Sequence, residues 1–287
     1  VALGLRTALL TTLALLAFAG NSLLAREALA RHTIDAASFA AIRLFAGALV
    51  LAMLARRGSG SWRTLRPRGF GGPLALFLYA LPFSLAYMRI GAATGALVLF
   101  GCVQLTMLAC ALWRGERPRP LAWCGFATAA GGLVWLVAPA ASRPDVLGVV
   151  EMAIAGIAWG AYTMLGRAAG EPIAANARSF VYATPIALLF CIVEADPATA
   201  TTRGIALAAI SGAITSGLGY AIWYRVLPHL SVARAAFAQL AVPAIAALGA
   251  VALLGEALTV HLAVASALVL GGVAAALADR ERPGRLR

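Results

Sequence analysis

The sequence has no lysine, only 11 acidic residues, and only 12% charged residues of any kind in 287. Ordinary soluble domains carry about 25% charged residues, because much of a folded surface must face water. With 62% of its residues hydrophobic, this chain has too little polar surface to cover a water-soluble globule. The few charges are also clumped. Uncharged stretches run 7–25, 69–88, 90–113, 120–142, 152–166, 179–193, 204–224 and 235–255. Most of them approach the roughly 20 residues that span the hydrocarbon of a bilayer.

Other shortages exclude chemistry. The four cysteines, Cys102, Cys110, Cys124 and Cys191, fall inside apolar runs without metal-ligand spacing. They read as small buried packing residues, and no disulfide framework, metal or cofactor is expected. His32, His229 and His261 fall near expected helix ends, and neither His-Glu-x-x-His nor Gly-x-Ser-x-Gly occurs. A membrane-embedded enzyme is therefore a weaker alternative, as is a scaffold, since the loops are short. The net charge of +12 comes from 23 arginines, nearly all between apolar runs. They read as topology signals and not as a nucleic-acid surface, so no nucleic-acid partner is expected. Missing lysine beside abundant alanine, glycine and arginine points to a GC-rich bacterial genome.

What is present is a set of long apolar runs without the two-residue alternation of a barrel strand. They predict an all-α integral membrane protein whose surrounding partner is lipid. Ten helices are expected near 5–29, 35–55, 70–89, 91–113, 120–139, 146–168, 176–194, 203–227, 231–254 and 259–279. The seventh has the shortest uncharged core, between Arg178 and Glu194. Arg6 with the apolar run to Ala17-Phe18-Ala19 also has the form of a secretory signal. A counterpart of this segment in mid-chain favours a first span instead. Counting arginines in alternate loops gives 17 on the side of the termini and 5 on the other, with Arg43 left inside the second helix. That asymmetry predicts cytoplasmic termini in a bacterial inner membrane.

The chain also repeats. A shift of 141 residues lays Phe18 on Trp159, Arg26 on Arg167, Ser38 on Ser179 and Phe39 on Phe180. A shift of 140 lays Gly115-Glu116 on Gly255-Glu256, and Gly131-Gly132 on Gly271-Gly272. The expected repeats are 1–140 and 141–287, five helices each. Five is odd, so the second repeat enters the membrane from the opposite side, an inverted arrangement that recurs in secondary transporters. The Gly-Gly pairs are expected to allow close helix approach within each half. A monomer is favoured, with a homodimer seam at those pairs as the alternative.

The segment from Pro243 through Leu254-Gly255-Glu256 to Gly271-Gly272, echoed by Gly115-Glu116 and Gly131-Gly132, resembles the EamA-type members of the drug/metabolite transporter superfamily. The resemblance covers essentially the whole chain. It departs at Val103, which stands where Pro243 stands in the second half, and at Arg114 in place of leucine before the first Gly-Glu. It implies ten helices in two inverted halves that export amino acids or related metabolites, with the aromatic amino-acid exporters as the preferred branch. Nucleosides, vitamins or drugs, with proton coupling, are the alternative.

Candidate substrate contacts come from polar and aromatic residues inside the spans. They are Phe18, Asn21, Arg43, Tyr79, Phe83, Gln104, Trp159, Tyr162, Ser216, Tyr220 and Gln239. Aromatic rings with polar edges suit planar or hydrophobic cargo, and ordinary packing is the alternative for each. Tyr87, Trp223 and Tyr224 are equally explained by an interfacial belt. Arg43 lies about eight residues into its helix, roughly 12 Å down at 1.5 Å per residue. It either snorkels outward or turns inward to a structural pair or a substrate carboxylate. Pro243 frees the Gln239 carbonyl and marks either a hinge or a static kink. Glu116 and Glu256 are expected to open the last helix of each repeat, where the helix dipole stabilises a carboxylate. No acid sits at a helix centre, which disfavours proton/organic-cation antiport and leaves facilitated diffusion as the expected mode. The scarcity of embedded cations disfavours phosphate-bearing cargo.

Overall fold

A computed structural model describes residues 4–59, 61–66, 68–90, 92–138, 145–196, 199–254 and 258–278. Among them are helices and turns and no strand, as a chain surrounded by hydrocarbon requires, since a helix satisfies its backbone internally. In chain order the spans are α1 (Leu5–Leu29), α2 (Ala36–Ser59), α3 (Gly71–Arg89), α4 (Ala92–Trp113) and α5 (Pro120–Val137). They continue with α6 (Val146–Arg167), α7 (Pro172–Glu194), α8 (Thr202–His229), α9 (Val232–Leu253) and α10 (Val260–Ala278). Nine are long and apolar enough to cross a membrane, and the tenth, α5, has a shorter apolar stretch over Pro120–Leu136. Their outer faces, for example Leu105, Ile192 and Leu253, are exposed leucine and isoleucine. Cys124 is exposed on α5 instead of buried, because a bundle in lipid turns apolar residues outward as well as inward.

Short polar side chains start the helices. Asp35 accepts from the Ser38 N–H at 2.8 Å, Asp145 from Gly148 at 2.8 Å, Thr201 from Gly204 at 3.1 Å and Ser231 from Arg234 at 3.2 Å. Each meets an amide that has no partner in the first helical turn. Pro172 at the first turn starts α7 four residues before its expected start at 176, since proline there costs no hydrogen bond. Arg178 therefore lies within the helix, and the apolar first turn, Pro172 to Ala175, extends the span.

Two other spans are broken. In α8 an α-helix over Thr202–Ile210 widens into a π-helix over Ser211–Leu218, then returns to α over Gly219–Val226 and ends as 3-10 at Leu227–His229. The α9 helix runs Val232–Gln239, turns at Leu240 and resumes at Ala241. That break follows from Pro243, whose ring displaces the carbonyl four residues before it, at Gln239. The Leu240 N–H then bonds the Phe237 carbonyl at 3.1 Å.

The main packing pairs are α5 with α10, α3 with α6, α2 with α7, α4 with α6, α1 with α8 and α9, α2 with α8, and α4 with α9. The α5–α10 contact is a backbone-to-backbone approach. A Cβ on Gly272 would lie 2.6 Å from both the Ala129 nitrogen and the Gly125 oxygen, and one on Gly132 would lie 2.8 Å from the Leu268 Cβ. The glycine pairs thus join α5 to α10, across the two expected halves and not within each, because these helices are neighbours of each other more than of α4 or α9.

Gly115 and Glu116 have linked roles. Gly115 ends α4 at φ +79°, and the Glu116 N–H reaches back to the Ala111 carbonyl at 2.9 Å. This is the left-handed helix stop that glycine adopts without strain. The turn carries the Glu116 carboxylate to α9, where its oxygens accept from the Val232 and Ala233 N–H groups at 2.9 Å each. Glu116 therefore caps α9 and not α5, whose N-cap Arg119 makes no side-chain cap. The second Gly-Glu, at 255–256, lies outside the described residues.

Gly272→Leu is expected to lower the melting temperature of the detergent-solubilised protein, at an overpacking cost of about 1–3 kcal/mol. Gly271→Leu, whose Cβ meets nothing within 4 Å, leaves it unchanged. A fluorescence melt of both variants decides whether the seam is as tight as described. In the same assay Glu116→Ala costs about 0.5–2 kcal/mol through the lost cap, and Glu116→Gln costs less.

Candidate functional site

The aromatic and polar residues of six helices meet at the bundle centre. Helix α1 brings Phe18, Asn21 and Ser22, spaced three and four apart so that they share a face. Tyr79 and Phe83 do the same on α3, Trp159 comes from α6, Tyr220 from α8, and Gln239 with Val242 from α9. These line a cavity of about 30 Å³ together with Leu99 and Phe100 of α4. The space has room for about two waters and is far below the roughly 300–1,000 Å³ of a ligand pocket. The rings close on one another: Phe18 stands edge-on to Trp159 at 5.4 Å and to Tyr220 at 5.6 Å, and Trp159 lies 4.9 Å from Tyr79 and from Tyr220. Such contacts favour the closed packing by about 0.5–1.5 kcal/mol each.

The polar edges of this wall are paired. Trp159 Nε1 donates to Gln239 Oε1 at 2.6 Å, and Gln239 Nε2 donates to Met107 Sδ at 3.1 Å and the Ala235 carbonyl at 3.2 Å. Ser211 Oγ donates to Asn21 Oδ1 at 2.7 Å. Ser211 opens the π-helix, and Thr215 Oγ1 donates to its carbonyl at 2.7 Å. A hydroxyl that takes a backbone carbonyl in this way competes with the α-helical bond, and π-turns recur at functional sites.

Arg43 sits behind the cavity wall and is 1% exposed. Its Nε donates to Ser216 Oγ at 3.0 Å, and its Nη2 donates to the Tyr79 and Tyr220 hydroxyls at 3.1 and 2.9 Å. The guanidinium carbon lies 5.1 Å from the Tyr79 ring centre and 5.7 Å from that of Phe83, within cation–π range. It does not snorkel. Phenols and a hydroxyl at its own depth give it donors' partners that the lipid face lacks. Ser216 and Tyr220, one turn apart on α8, are the reason this segment faces α2.

Seven of the candidate residues therefore line the cavity, and Arg43 with Ser216 lies directly behind it. Gln104 and Tyr162 do not line it. Gln104 Nε2 donates to the Ala236 carbonyl at 2.7 Å, the group that the break at Leu240 leaves without its usual helical donor. Tyr162 donates to Asn176 Oδ1, and its carbonyl accepts from the Tyr224 hydroxyl at 3.0 Å, so it ties α6 to α7 and α8. Tyr224 and Trp223 are buried, not interfacial, and Trp223 packs against Phe18 at 5.5 Å. Sequence reasoning missed Leu99, Phe100 and Val242, which carry no polar mark within apolar runs. Pro243 adjoins the site at the α9 break.

Comparisons with known proteins agree with this architecture. The model of the EamA-like transporter family matches residues 146–278. The chain is 48% identical over 282 residues to "Uncharacterized protein PA1977" of Pseudomonas aeruginosa, covering 96% of each. A solved structure titled "Crystal structure of protein" has the same fold, with a TM-score of 0.79 at 21% identity over 96% of this chain and 99% of that one. Transporters of this family are not enzymes. The chain belongs to the EamA-like transporter family and is a multi-pass membrane transporter of small molecules.

Proposed function

We propose that the protein exports hydrophobic and aromatic amino acids by facilitated diffusion, through alternating access of two inverted five-helix halves. The observation that carries this reading is the aromatic wall at the bundle centre. It is drawn from α1, α3 and α4 on one side of the sequence and α6, α8 and α9 on the other, and none of the described residues that line it is acidic. A cavity shared between halves closes and opens as the halves rock. Aromatic faces bind planar side chains, and a cavity with no carboxylate among its described lining residues has no proton carrier beside the cargo.

The helix neighbours support the inverted repeat. Exchanging each helix for the one five places away turns α3–α6 into α8–α1 and α4–α6 into α9–α1, both of which are contacts. The pairs α2–α7, α4–α9 and α5–α10 map onto themselves. Contacts at the bundle ends join loops of like parity: Arg203 of the α7–α8 side pairs with Glu27 at 2.5 Å, and Arg68 pairs with Glu171 at 3.7 Å. That parity supports helices running alternately across the membrane. The arginine-rich end is then cytoplasmic by its charge, and the reading is completed by a monomer in the bacterial inner membrane.

In proteoliposomes with equal pH on both sides, labelled phenylalanine or tryptophan is expected to equilibrate down its own gradient. A strict need for a pH gradient sinks the uniport, and transport of no amino acid sinks the cargo. A reporter enzyme fused after Arg287 is expected to be active in the cytoplasm; activity confined to the periplasm reverses the orientation.

A further inference from the structure

Arg43 is a permanent cation in the driest part of the molecule. Its guanidinium does not lose its proton at any physiological pH, and all of its hydrogen-bond partners, Ser216, Tyr79 and Tyr220, are neutral. None of the described aspartates or glutamates lies within ion-pair distance of it. One terminal nitrogen, Nη1, is buried and has no hydrogen-bond partner among the described residues. A buried charge without a counter-charge is costly, and a fold that keeps one is stabilised when an anion arrives.

The position fits such an arrival. Tyr79 and Tyr220 both line the central cavity and both hydrogen-bond to Arg43 Nη2, so a single layer of phenols separates the guanidinium from the cavity. The two phenol oxygens accept from Nη2, and the Nη1 N–H awaits an acceptor; one carboxylate meets both nitrogens with two parallel bonds. The rest of the wall is aromatic, and none of its lining residues is acidic. A carboxylate has an ionic partner here, and an ammonium has none.

We propose that Arg43 is the anchor for the carboxylate of the cargo, reached when Tyr79 and Tyr220 turn aside, so that the transporter recognises aromatic carboxylates and does not require the amino group. This deepens the amino-acid reading given above and rests on the same central cavity. The anion replaces the two phenol contacts on the guanidinium, and the aromatic body takes the place of Phe18 and Trp159 against each other. The charge that was uncompensated in the closed bundle is then neutralised by the cargo itself.

The test compares two fragments of phenylalanine as competitors of labelled phenylalanine transport by the wild-type protein in proteoliposomes. 3-Phenylpropionate keeps the carboxylate and lacks the amine; phenethylamine keeps the amine and lacks the carboxylate. Competition by phenylpropionate alone is the expected result, and equal or better competition by phenethylamine overturns the proposal. Arg43→Gln is expected to weaken carboxylate binding on the order of 10- to 100-fold, with Arg43→Lys between it and wild type. A folded Arg43→Gln protein that transports like wild type also overturns it. Should wild type move no amino acid, the export reading fails on its own, and the anchor is judged by melting temperature. A stabilising shift with phenylpropionate in wild type, absent with phenethylamine, upholds it; no shift with phenylpropionate refutes it.

Discussion

Hydrocarbon offers no hydrogen bonds, so a polar group that these helices turn inward depends on the protein for its partner. The bundle is organised by that requirement. Asn21 of α1 is met by Ser211 of α8, Trp159 of α6 by Gln239 of α9, Gln104 of α4 by the carbonyl of Ala236 on α9, and Arg43 of α2 by α3 and α8 together. Apolar packing alone would let such helices slide and rotate, since lipid tails are as apolar as leucine. These few directional bonds fix the rotation of the helices they join. The helix irregularities meet the same need. The π-turn of α8 and the break in α9 each expose a backbone group beside a side chain able to satisfy it.

Much of this was legible in the sequence, because the bilayer makes length and apolarity decisive. The positions of nearly all the spans follow from runs between arginines, and a cluster containing Phe18, Tyr79, Trp159, Tyr220 and Gln239 could be named before any coordinates. What could not be read was which helix a group would meet. Glu116 carries the chemistry of a helix cap, and its spacing put it beside α5; the left-handed turn at Gly115 sends it to α9 instead. The glycine pairs signal close approach, but only the arrangement of neighbours assigns it to α5 and α10. The π-turn has no mark beyond serine, threonine and glycine in an apolar run, because its cause is a competition among hydroxyls and carbonyls three-dimensionally arranged. Tyr162 and Gln104 resemble cavity residues in every sequence property and differ only in the direction they face.

The interactions that hold the bundle differ in how readily they can be exchanged, and this bears on how it could work. The α5–α10 seam has backbone against backbone near Gly125, Ala129 and Gly272, with no layer of flexible side chains to absorb sliding. Facing the cavity, the contacts are between side chains. Rings meet edge to face, and neutral hydrogen bonds of about 1 kcal/mol net each join side chains that have other rotamers. Backbone also meets backbone at Gly156 of α6 against the Leu99 carbonyl of α4 and at Gly212 of α8 against the Arg43 carbonyl of α2. Under alternating access the side chains that face the cavity are therefore the parts with room to change.

A cavity of about 30 Å³ cannot hold an amino acid, so cargo must replace contacts that the closed protein makes with itself. This is where the chemistry of Arg43 and the mechanics of transport meet. A phenol is a modest partner for a guanidinium, and a carboxylate is a much stronger one. Opening therefore exchanges weak internal partners for a strong external one, while the aromatic surfaces freed from each other are covered by the cargo. A solute lacking the carboxylate separates the rings without compensating the charge, and the closed packing wins. With Arg43 as the proposed anchor, selectivity arises from the cost of leaving a buried cation without an anion, and the hydroxyls of Tyr79 and Tyr220 hold the place that the anion would take.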